Sequence, residues 1–187
     1  IILDGNRRWA KENNLPTLRG HQRGAERAKE ITKYCKKLGV KTLTFFCFST
    51  ENWKRSKFEV NYLMRLFDKY FLSENIKNYG EGIKLKVIGD RSKLPGYLKK
   101  SIEKTEKETE KNKEMILNLA ISYGGRAELV SAIKNIVDKK IPTEKITEKI
   151  ISDNLWTSDL DFIIRTGKEK RTSNFLIWQA AYSELYF

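Results

Sequence analysis

The chain alternates between strand-like and helix-like segments, and this alternation constrains its fold more than any other feature. The segments typical of strands are residues 1–3, 40–48, 83–88, 115–121 and 162–164. The segments typical of helices are residues 24–38, 58–79, a stretch after Pro95, 127–137, 143–154 and 175–182. Strand–helix alternation is the pattern of a mainly parallel sheet packed between helices. We therefore predict an α/β fold, formed by a single domain over residues 1–187 with both termini truncated.

Polar clusters follow the predicted strands directly. Ligands of parallel sheets collect beyond the carboxyl ends of the strands, so these clusters are the first candidates for a site. They are Asp4-Gly5-Asn6, Ser49-Thr50-Glu51-Asn52, Gly89-Asp90-Arg91, Tyr123-Gly124-Gly125-Arg126 and Arg165-Thr166-Gly167.

Composition narrows the class of ligand to anions. The chain has 37 lysines and arginines against 24 acidic residues, a formal charge of +13. Nucleic acid, an anionic membrane surface and diphosphate substrates are all compatible with this charge. No apolar run approaches the about 20 residues that span a bilayer. We expect a soluble, globular protein.

His21 is the only histidine, which argues against a histidine-based zinc site or a Ser-His-Asp triad. Cys35 and Cys47 have neither metal-ligand nor redox spacing, so we predict reduced, buried thiols. Reduced thiols favour a cytoplasmic location.

The sharpest cluster is Asp4-Gly5-Asn6-Arg7-Arg8-Trp9. The glycine lets the backbone approach an anion closely, and the arginines supply charge-assisted donors to phosphate oxygens. Because Asp4 would repel a bare diphosphate, a bridging Mg²⁺ is predicted. The alternative is an Asp-Gly turn with exposed arginines.

Arg19-Gly20-His21-x-x-Gly24 precedes the predicted helix 24–38. Glycines before a helix N-terminus, with histidine and arginine side chains, suit a phosphate group. A lone histidine is more often structural, but a position between two glycines favours binding.

Ser49-Thr50-Glu51-Asn52-Trp53-Lys54-Arg55 follows a strand rich in β-branched and aromatic residues. The alternative to a site is a helix N-cap, since serine and threonine are common caps. The next helical pattern begins only near Phe58, so we interpret this segment as a site loop.

A second cationic cluster lies near the end of the chain. Residues 165–171 contain four cations, which suit a diphosphate, although a solvated charge run has the same composition. Glu184 lies among aromatic residues, where a carboxylate usually needs a partner or a metal. The apolar side of the helix from Tyr62 to Phe71 is either core or the wall of a channel for a hydrocarbon tail.

Together these segments resemble the cis-prenyltransferase family, whose members make undecaprenyl diphosphate or dehydrodolichyl diphosphate. The matching stretches run through the whole chain in family order. They are residues 4–10, Gly20-His21, 48–55, Val87-Ile88-Gly89-Asp90, Tyr123-Gly124-Gly125-Arg126, Ile164-Arg165-Thr166, 171–176 and 178–187.

The resemblance implies a central parallel sheet with a hydrophobic tunnel for the prenyl chain. It implies Mg²⁺-dependent condensation of isopentenyl diphosphate with an allylic diphosphate, farnesyl or geranylgeranyl, to give Z double bonds. It also implies a homodimer, no nucleic-acid partner and a peripheral contact with the membrane for product release.

The resemblance also assigns roles to individual residues. Asp4 handles Mg²⁺ and assists departure of the diphosphate, Asn52 is the position proposed for proton removal, and Glu184 completes the metal site across the dimer. The residues assigned to the allylic diphosphate are Gly5, Asn6, Arg7, Arg8 and His21. Those at the junction of the substrates are Ser49, Glu51, Trp53 and Arg55, and those for isopentenyl diphosphate are Arg165, Arg171 and Ser173. Further substrate-binding residues implied by the resemblance are Trp9, Thr50 and Thr172.

The sequence departs from the family pattern at three places. The arginine expected four residues before the histidine is Thr17, with Arg19 nearby. Gly167-Lys168-Glu169 has lysine where glycine is usual, and Leu160-Asp161 lacks the usual proline-containing linker. We therefore expect a changed diphosphate contact near Thr17.

Two alternatives of other classes remain. One is a non-catalytic binding subunit of the same fold, but such subunits lose the Asp-Gly-Asn motif that this chain keeps. The other is a basic RNA-binding domain, which has no need of Asp4 and Glu184. Product length is not readable from these patterns.

Overall fold

The structure is a computed structural model that describes residues 1–71 and 80–187. Its helices are α1 (Asn6–Glu12), α2 (Thr17–Lys37), α3 (Lys57–Phe71), α4 (Gly96–Thr109), α5 (Gly125–Asp138) and α6 (Glu148–Asp153). Its strands are β1 (Thr42–Ser49), β2 (Ile83–Ile88), β3 (Met115–Tyr123), β4 (Phe162–Ile164) and β5 (Glu184–Tyr186). Within the described residues, 3₁₀ helices cover Thr50–Lys54 and Thr143–Lys145.

The strands run parallel, as the alternation predicts. β3 lies between β1 and β2, and β4 pairs with β5. Ile2 forms parallel bridges to Phe46 of β1 and to Arg165, which follows β4. Ile2 therefore connects the two groups of strands and brings the residues that follow it beside the ends of β1 and β4. The predicted α/β fold with a parallel sheet is confirmed.

Apolar side chains cover both faces of the sheet. β3 is buried along almost its whole length, as expected for a strand with a packed layer on each side. The larger cluster, including Phe45, Phe48 and Met64, packs with α3 and α4 on one face. The smaller cluster includes Phe46 and Phe175, whose rings stack 4.7 Å apart.

The prediction that α2 begins near residue 24 is wrong, because this helix begins at Thr17. Gly20, His21 and Gly24 therefore lie inside the helix, and they do not form a phosphate loop before it. A Cβ at Gly20 would lie 2.1 Å from the Asn6 carbonyl oxygen, and one at Gly24 would lie 2.5 Å from Asn6 Nδ2. Glycines that weaken a helix in isolation here let α1 pack closely against α2.

The predicted helix over 175–182 is also wrong, since this segment consists of turns. Ser173, Asn174 and Leu176 have φ values of 51°, 66° and 45°, in the left-handed region that interrupts a right-handed helix. β5, which follows this segment, is absent from the predicted strands.

Two further predicted elements are shortened or divided. The predicted strand 1–3 is reduced to the bridging residue Ile2. The predicted helix 143–154 is divided into a 3₁₀ turn and α6, which starts after Thr147, whose Oγ accepts the Ile150 N–H at 3.3 Å. Helix 58–79 is present as α3, and residues 72–79 of that prediction lie outside the described residues.

Within residues 1–71 and 80–187, no helix is both long and apolar enough to cross a membrane.

Candidate active site

A cavity with a volume of about 830 Å³ opens beside the ends of β1 and β4. One part of its wall is polar and carries most of the residues predicted for the site. The other part is apolar and includes Leu63, Leu66 and Phe67 of α3, with Phe46 and Cys47 of β1. The α3 side that was left open between core and channel therefore contributes to a cavity wall.

Asp4 occupies the centre of the polar part. Its Oδ1 accepts the N–H of Gly5 at 2.7 Å, and its Oδ2 accepts Nη2 of Arg165 at 3.0 Å and Nη2 of Arg8 at 3.3 Å. Gly5 has a φ of 100°, a conformation that glycine adopts without steric cost, and it starts α1. The Asp-Gly pair therefore holds the carboxylate towards the cavity between two arginines from distant parts of the chain.

These contacts keep Asp4 ionised. Partial burial alone would raise its pKa, but the hydrogen bonds from Arg165 and Gly5 and the charges of Arg165 and Arg8 outweigh burial and lower the pKa below its ordinary value. An ionised carboxylate is able to ligate a hard cation such as Mg²⁺.

Around His21 lies a buried group of charged side chains. His21 Nε2 lies 3.1 Å from Glu59 Oε1, and Arg55 Nη1 donates to the same oxygen at 3.0 Å. The side chains of His21 and Glu59 are 8% and 13% exposed, so water screens this group little. Glu59 therefore fixes two of the residues predicted to bind substrate.

The pKa of His21 and the pKa of Glu59 are both lowered. For His21 the main cause is burial, which the hydrogen bond to Glu59 offsets only in part. For Glu59, burial would raise the pKa, but the His21 hydrogen bond and the charges of Arg55 and Arg7 outweigh it. The resting site therefore favours a neutral imidazole beside a carboxylate.

The segment after β1 is a short 3₁₀ helix, Thr50–Lys54, capped by the residues that were interpreted as a loop. Asn52 Oδ1 accepts the backbone N–H of Ser49 at 3.1 Å. The structure therefore bears out the cap alternative, and Ser49 and Asn52 also line the cavity, so the interpretation as a site stays a prediction. A side chain can serve a cap and still present its remaining polar atoms to a ligand.

Arg165 anchors the second cationic group. It is 7% exposed, and its Nη1 donates to Ser173 Oγ at 2.7 Å and to the Arg171 carbonyl. Arg171 itself is 65% exposed and pairs with Glu169, whose other oxygen lies 3.7 Å from Arg8 Nη1. Glu169 thus lies between the two groups of arginines.

The structure brings most of the predicted site residues to the cavity and leaves others away from it. Those that line it are Asp4, Gly5, Asn6, Arg7, Arg8, His21, Ser49, Glu51, Asn52, Arg55, Arg165 and Ser173. Those that do not are Trp9, Thr50, Trp53, Arg171, Thr172 and Glu184.

Trp53 and Glu184 have other surroundings within the described subunit. Trp53 packs against Phe48 at 5.0 Å between ring centroids, and its Nε1 donates to Ser122 Oγ at 3.0 Å. Glu184 is exposed on β5. In the part of the chain that the structure describes, no three acidic, cysteine or histidine side chains come together as a metal site. Thr17 and Arg19 lie on α2 away from the cavity, and Arg19 contacts Gln22.

Sequence reasoning missed Glu59 and Asn174. Glu59 lies four residues after Arg55, a spacing at which opposite charges meet on a helix, and this was the signal that could have found it. Asn174 lines the cavity, but its contacts depend on a turn conformation that no local pattern indicates.

The fold and the site define a class. A carboxylate between two groups of arginines, at the polar end of a cavity with apolar walls, suits substrates that join a multiply charged anion to a hydrocarbon. The chain belongs to the family described as putative undecaprenyl diphosphate synthase, whose family model matches residues 2–187.

Curated relatives agree with this membership. The chain is 44% identical to an isoprenyl transferase of Bacillus cereus over 197 aligned residues, which cover all of this chain and 75% of that protein. It is 46% identical over 190 residues to an isoprenyl transferase of Aquifex pyrophilus, with 81% of that protein covered.

Solved structures share the fold. Lavandulyl diphosphate synthase from Lavandula x intermedia, in complex with dimethylallyl diphosphate, superposes with a TM-score of 0.95 at 36% identity, covering all of this chain and 84% of that one. A probable undecaprenyl diphosphate synthase from Campylobacter jejuni superposes with a TM-score of 0.79 at 36% identity, covering 88% of this chain and 80% of that one.

Proposed function

We propose that this protein condenses isopentenyl diphosphate with an allylic diphosphate, farnesyl or geranylgeranyl diphosphate, to give a Z-polyprenyl diphosphate. The observation that carries the proposal is the position of Asp4, whose carboxylate contacts Arg8 from one cationic group and Arg165 from the other. Two diphosphates require two such groups, and the reacting carbons require both groups at one place.

The first group would hold the allylic diphosphate. Asn6, Arg7, Arg8 and His21 come from α1 and α2 and all line the cavity. Guanidinium groups bind phosphate oxygens through two parallel hydrogen bonds, which orient the ligand as well as hold it. The close packing of α1 on α2 at Gly20 fixes these side chains relative to each other.

The second group would hold isopentenyl diphosphate. Arg165 and Ser173 line the cavity and are already joined by a 2.7 Å hydrogen bond. Arg171 is exposed beside them and is free to turn towards a ligand if its contact with Glu169 breaks. An anion between Arg8 and Arg171 would compete with Glu169 for both arginines.

The apolar wall would take the hydrocarbon part of the growing chain. Leu63, Leu66 and Phe67 line it from α3, and the cavity of about 830 Å³ lies within the size range of ligand sites. In the reaction the allylic carbon–oxygen bond breaks, a carbon–carbon bond to isopentenyl diphosphate forms, and one proton is lost. Apolar walls keep water away from the carbocation character that develops.

Asn52 is proposed for the proton-removal step because it lines the cavity together with residues of both cationic groups. Its Oδ1 already accepts the Ser49 N–H, so only its second lone pair remains for another proton. Substitution by aspartate and by alanine would separate a role in proton transfer from a role in holding the 3₁₀ turn.

Mg²⁺ is proposed as the cofactor. Mg²⁺ is commonly held by one or two carboxylates together with substrate phosphates, and the ionised Asp4 at the cavity fits that donor set. When bound, the ion would neutralise diphosphate charge and favour departure of the leaving group. Glu184 is proposed as a further ligand, supplied by a second subunit, because in its own subunit it lies away from the cavity.

A homodimer is proposed on the basis of exposed apolar side chains. Val130, Ile133 and Val137 of α5 are 53%, 57% and 67% exposed and share one side of the helix by their spacing. Phe162 and Tyr186 of β4 and β5 are 50% and 64% exposed. Light scattering tests this: an Ile133→Asp variant should be monomeric, whereas a dimeric variant of wild-type stability would contradict the use of this face.

Peripheral membrane contact is proposed for product release, because a polyprenyl product is far more soluble in lipid than in water. The formal charge of +13 would favour an anionic surface. Co-sedimentation with anionic vesicles, repeated at high salt, tests this contact.

The activity itself is tested with radiolabelled isopentenyl diphosphate, farnesyl diphosphate and Mg²⁺. We expect labelled product that extracts into organic solvent, and loss of that product when a chelator removes the metal. Chromatography of the product gives its chain length. Absence of any transfer by a folded dimer would instead favour the non-catalytic subunit.

A further inference from the structure

The Tyr123-Gly124-Gly125-Arg126 segment has no role in the proposed chemistry, although it follows the central strand β3. Two of its backbone N–H groups are hydrogen-bonded to Asn174. The Gly125 N–H donates to the Asn174 carbonyl at 2.7 Å, and the Arg126 N–H donates to Asn174 Oδ1 at 3.0 Å. These are N–H groups at the start of α5 that lack partners within the helix.

The two glycines leave room for this contact. A Cβ at Gly124 would lie 2.8 Å from Asn174 Nδ2 and 2.9 Å from Thr50 Oγ1, and one at Gly125 would lie 2.7 Å from the Ile177 side chain. A larger residue at either position would require these side chains to shift. The glycine pair is therefore explained by a loop docked on the helix.

The nitrogen of the Asn174 amide contacts the 3₁₀ helix that follows β1. Asn174 Nδ2 donates to Glu51 Oε1 at 3.4 Å, and Glu51 lies in the 3₁₀ turn that lines the cavity. Burial alone would raise the pKa of Glu51, but hydrogen bonds, including the one from Asn174, lower it. The carboxylate is therefore an anionic acceptor for the Asn174 amide.

Asn174 is also the neighbour of Ser173, which accepts the hydrogen bond from Arg165. Its φ of 66° is one that asparagine tolerates better than most residues. Farther along the same segment, Gln179 Nε2 donates to the buried Glu128 of α5 at 3.1 Å. The segment is thus fixed to α5 at two points, and Asn174 is the point that faces the cavity.

We infer that Asn174 is a positioning residue that couples the isopentenyl diphosphate group at Arg165 and Ser173 to the substrate junction at Glu51. Its Oδ1 accepts the Arg126 N–H at the start of α5, its Nδ2 contacts Glu51 Oε1 at 3.4 Å, and Ser173 is its neighbour along the chain. The identity of the ligand in this inference rests on the proposed function. The contacts of Asn174 are independent of that function.

The test is a double-mutant cycle between Asn174→Asp and Glu51→Gln. Asn174→Asp keeps the oxygen that caps α5 and replaces the donor facing Glu51 with a second negative oxygen. We expect kcat/KM for isopentenyl diphosphate to fall roughly tenfold, mainly through KM. In the Glu51→Gln background the glutamine amide can donate to the new aspartate, so the same substitution should cost less than about threefold.

Equal losses in both backgrounds would overturn the inference, because Asn174 would then act only on α5. Asn174→Gly in the same two backgrounds covers the case in which the aspartate variant fails to fold, since glycine suits the left-handed φ. Urea unfolding of all variants measures the same coupling without any substrate. An inactive wild-type protein that still shows this coupling would count against the proposed function and leave the inference intact.

Discussion

Asp4 Oδ2 lies 3.0 Å from Arg165 Nη2, a contact that joins residues 161 positions apart. Arg8 Nη2 lies 3.3 Å from the same oxygen, so one carboxylate oxygen contacts an arginine from each of the two cationic groups. Ile2 makes this possible, because its bridges to Phe46 and Arg165 place the first residues of the chain between β1 and β4. Under the proposed function, a cation bound at Asp4 would lie beside residues of both diphosphate-binding groups.

Arg165→Lys should weaken use of isopentenyl diphosphate. Lysine keeps the charge but cannot reproduce donation to Asp4, Ser173 and the Arg171 carbonyl together. We expect kcat/KM for isopentenyl diphosphate to fall about 10- to 100-fold, as for loss of charged hydrogen bonds. Steady-state kinetics measures this, with Arg27→Lys, an exposed arginine of α2, as the matched control. Similar kinetics for the two variants would contradict the role of Arg165.

Glu59→Gln should impair use of the allylic substrate. The change keeps the shape of the side chain but removes the negative charge that His21 and Arg55 contact, so both contacts become weaker. We expect the free energy of unfolding to fall by about 1–2 kcal/mol and the KM for the allylic diphosphate to rise. Glu30→Gln, at an exposed carboxylate of α2, should change neither quantity. An unchanged KM for the allylic diphosphate in Glu59→Gln would contradict the proposal that Glu59 positions His21 and Arg55 for this substrate.

His21 should make stability depend on pH. Its pKa in the folded protein is below the ordinary 6.5, so the folded state binds fewer protons than the unfolded state as the pH falls. The contribution is complete above about pH 6.5 and is lost as the pH falls through the folded pKa. Urea unfolding at pH 7.5 and pH 5 should show a larger loss for the wild type than for His21→Gln. Equal losses of stability in the wild type and in His21→Gln would show that His21 does not cause the pH dependence.

Gly20→Ala should disturb the site from a distance. Its Cβ would meet the Asn6 carbonyl oxygen at 2.1 Å, so α1 with Arg7 and Arg8 must move. We expect a loss of about 1–3 kcal/mol in unfolding free energy and a higher KM for the allylic diphosphate. Gly96→Ala is the control, because nothing lies within 4 Å of its Cβ position. Wild-type stability of Gly20→Ala would show that the helices do not need this close approach.

Much of the fold could be predicted from the sequence because strands buried on both faces are continuous apolar runs. β3 is the example, with a pattern that no exposed strand would have. The start of α2 could not be predicted, since Gly20 and Gly24 disfavour a helix locally and only the contact with Asn6 explains them. Tertiary packing overrides propensity at such positions.

The candidate site could be predicted in part, because some of its residues directly follow strands. Asp4 and Arg165 both follow strand-like segments, and parallel strands bring such residues to one edge. Asn174 could not be found, because its role depends on a left-handed turn and on the start of α5, 49 positions from Gly125 along the chain. Glu184 stays a prediction, since its proposed partner is a second subunit.

Substitution of Asp4 is the most direct test of the proposed function. We would measure transfer of radiolabelled isopentenyl diphosphate to farnesyl diphosphate with Mg²⁺ by the wild type, by Asp4→Ala, and by Asp138→Ala at the exposed end of α5 as the control. We expect a folded Asp4→Ala protein with turnover reduced about a hundredfold or more, and wild-type turnover in the control. Wild-type turnover in Asp4→Ala would contradict the proposed role of Asp4.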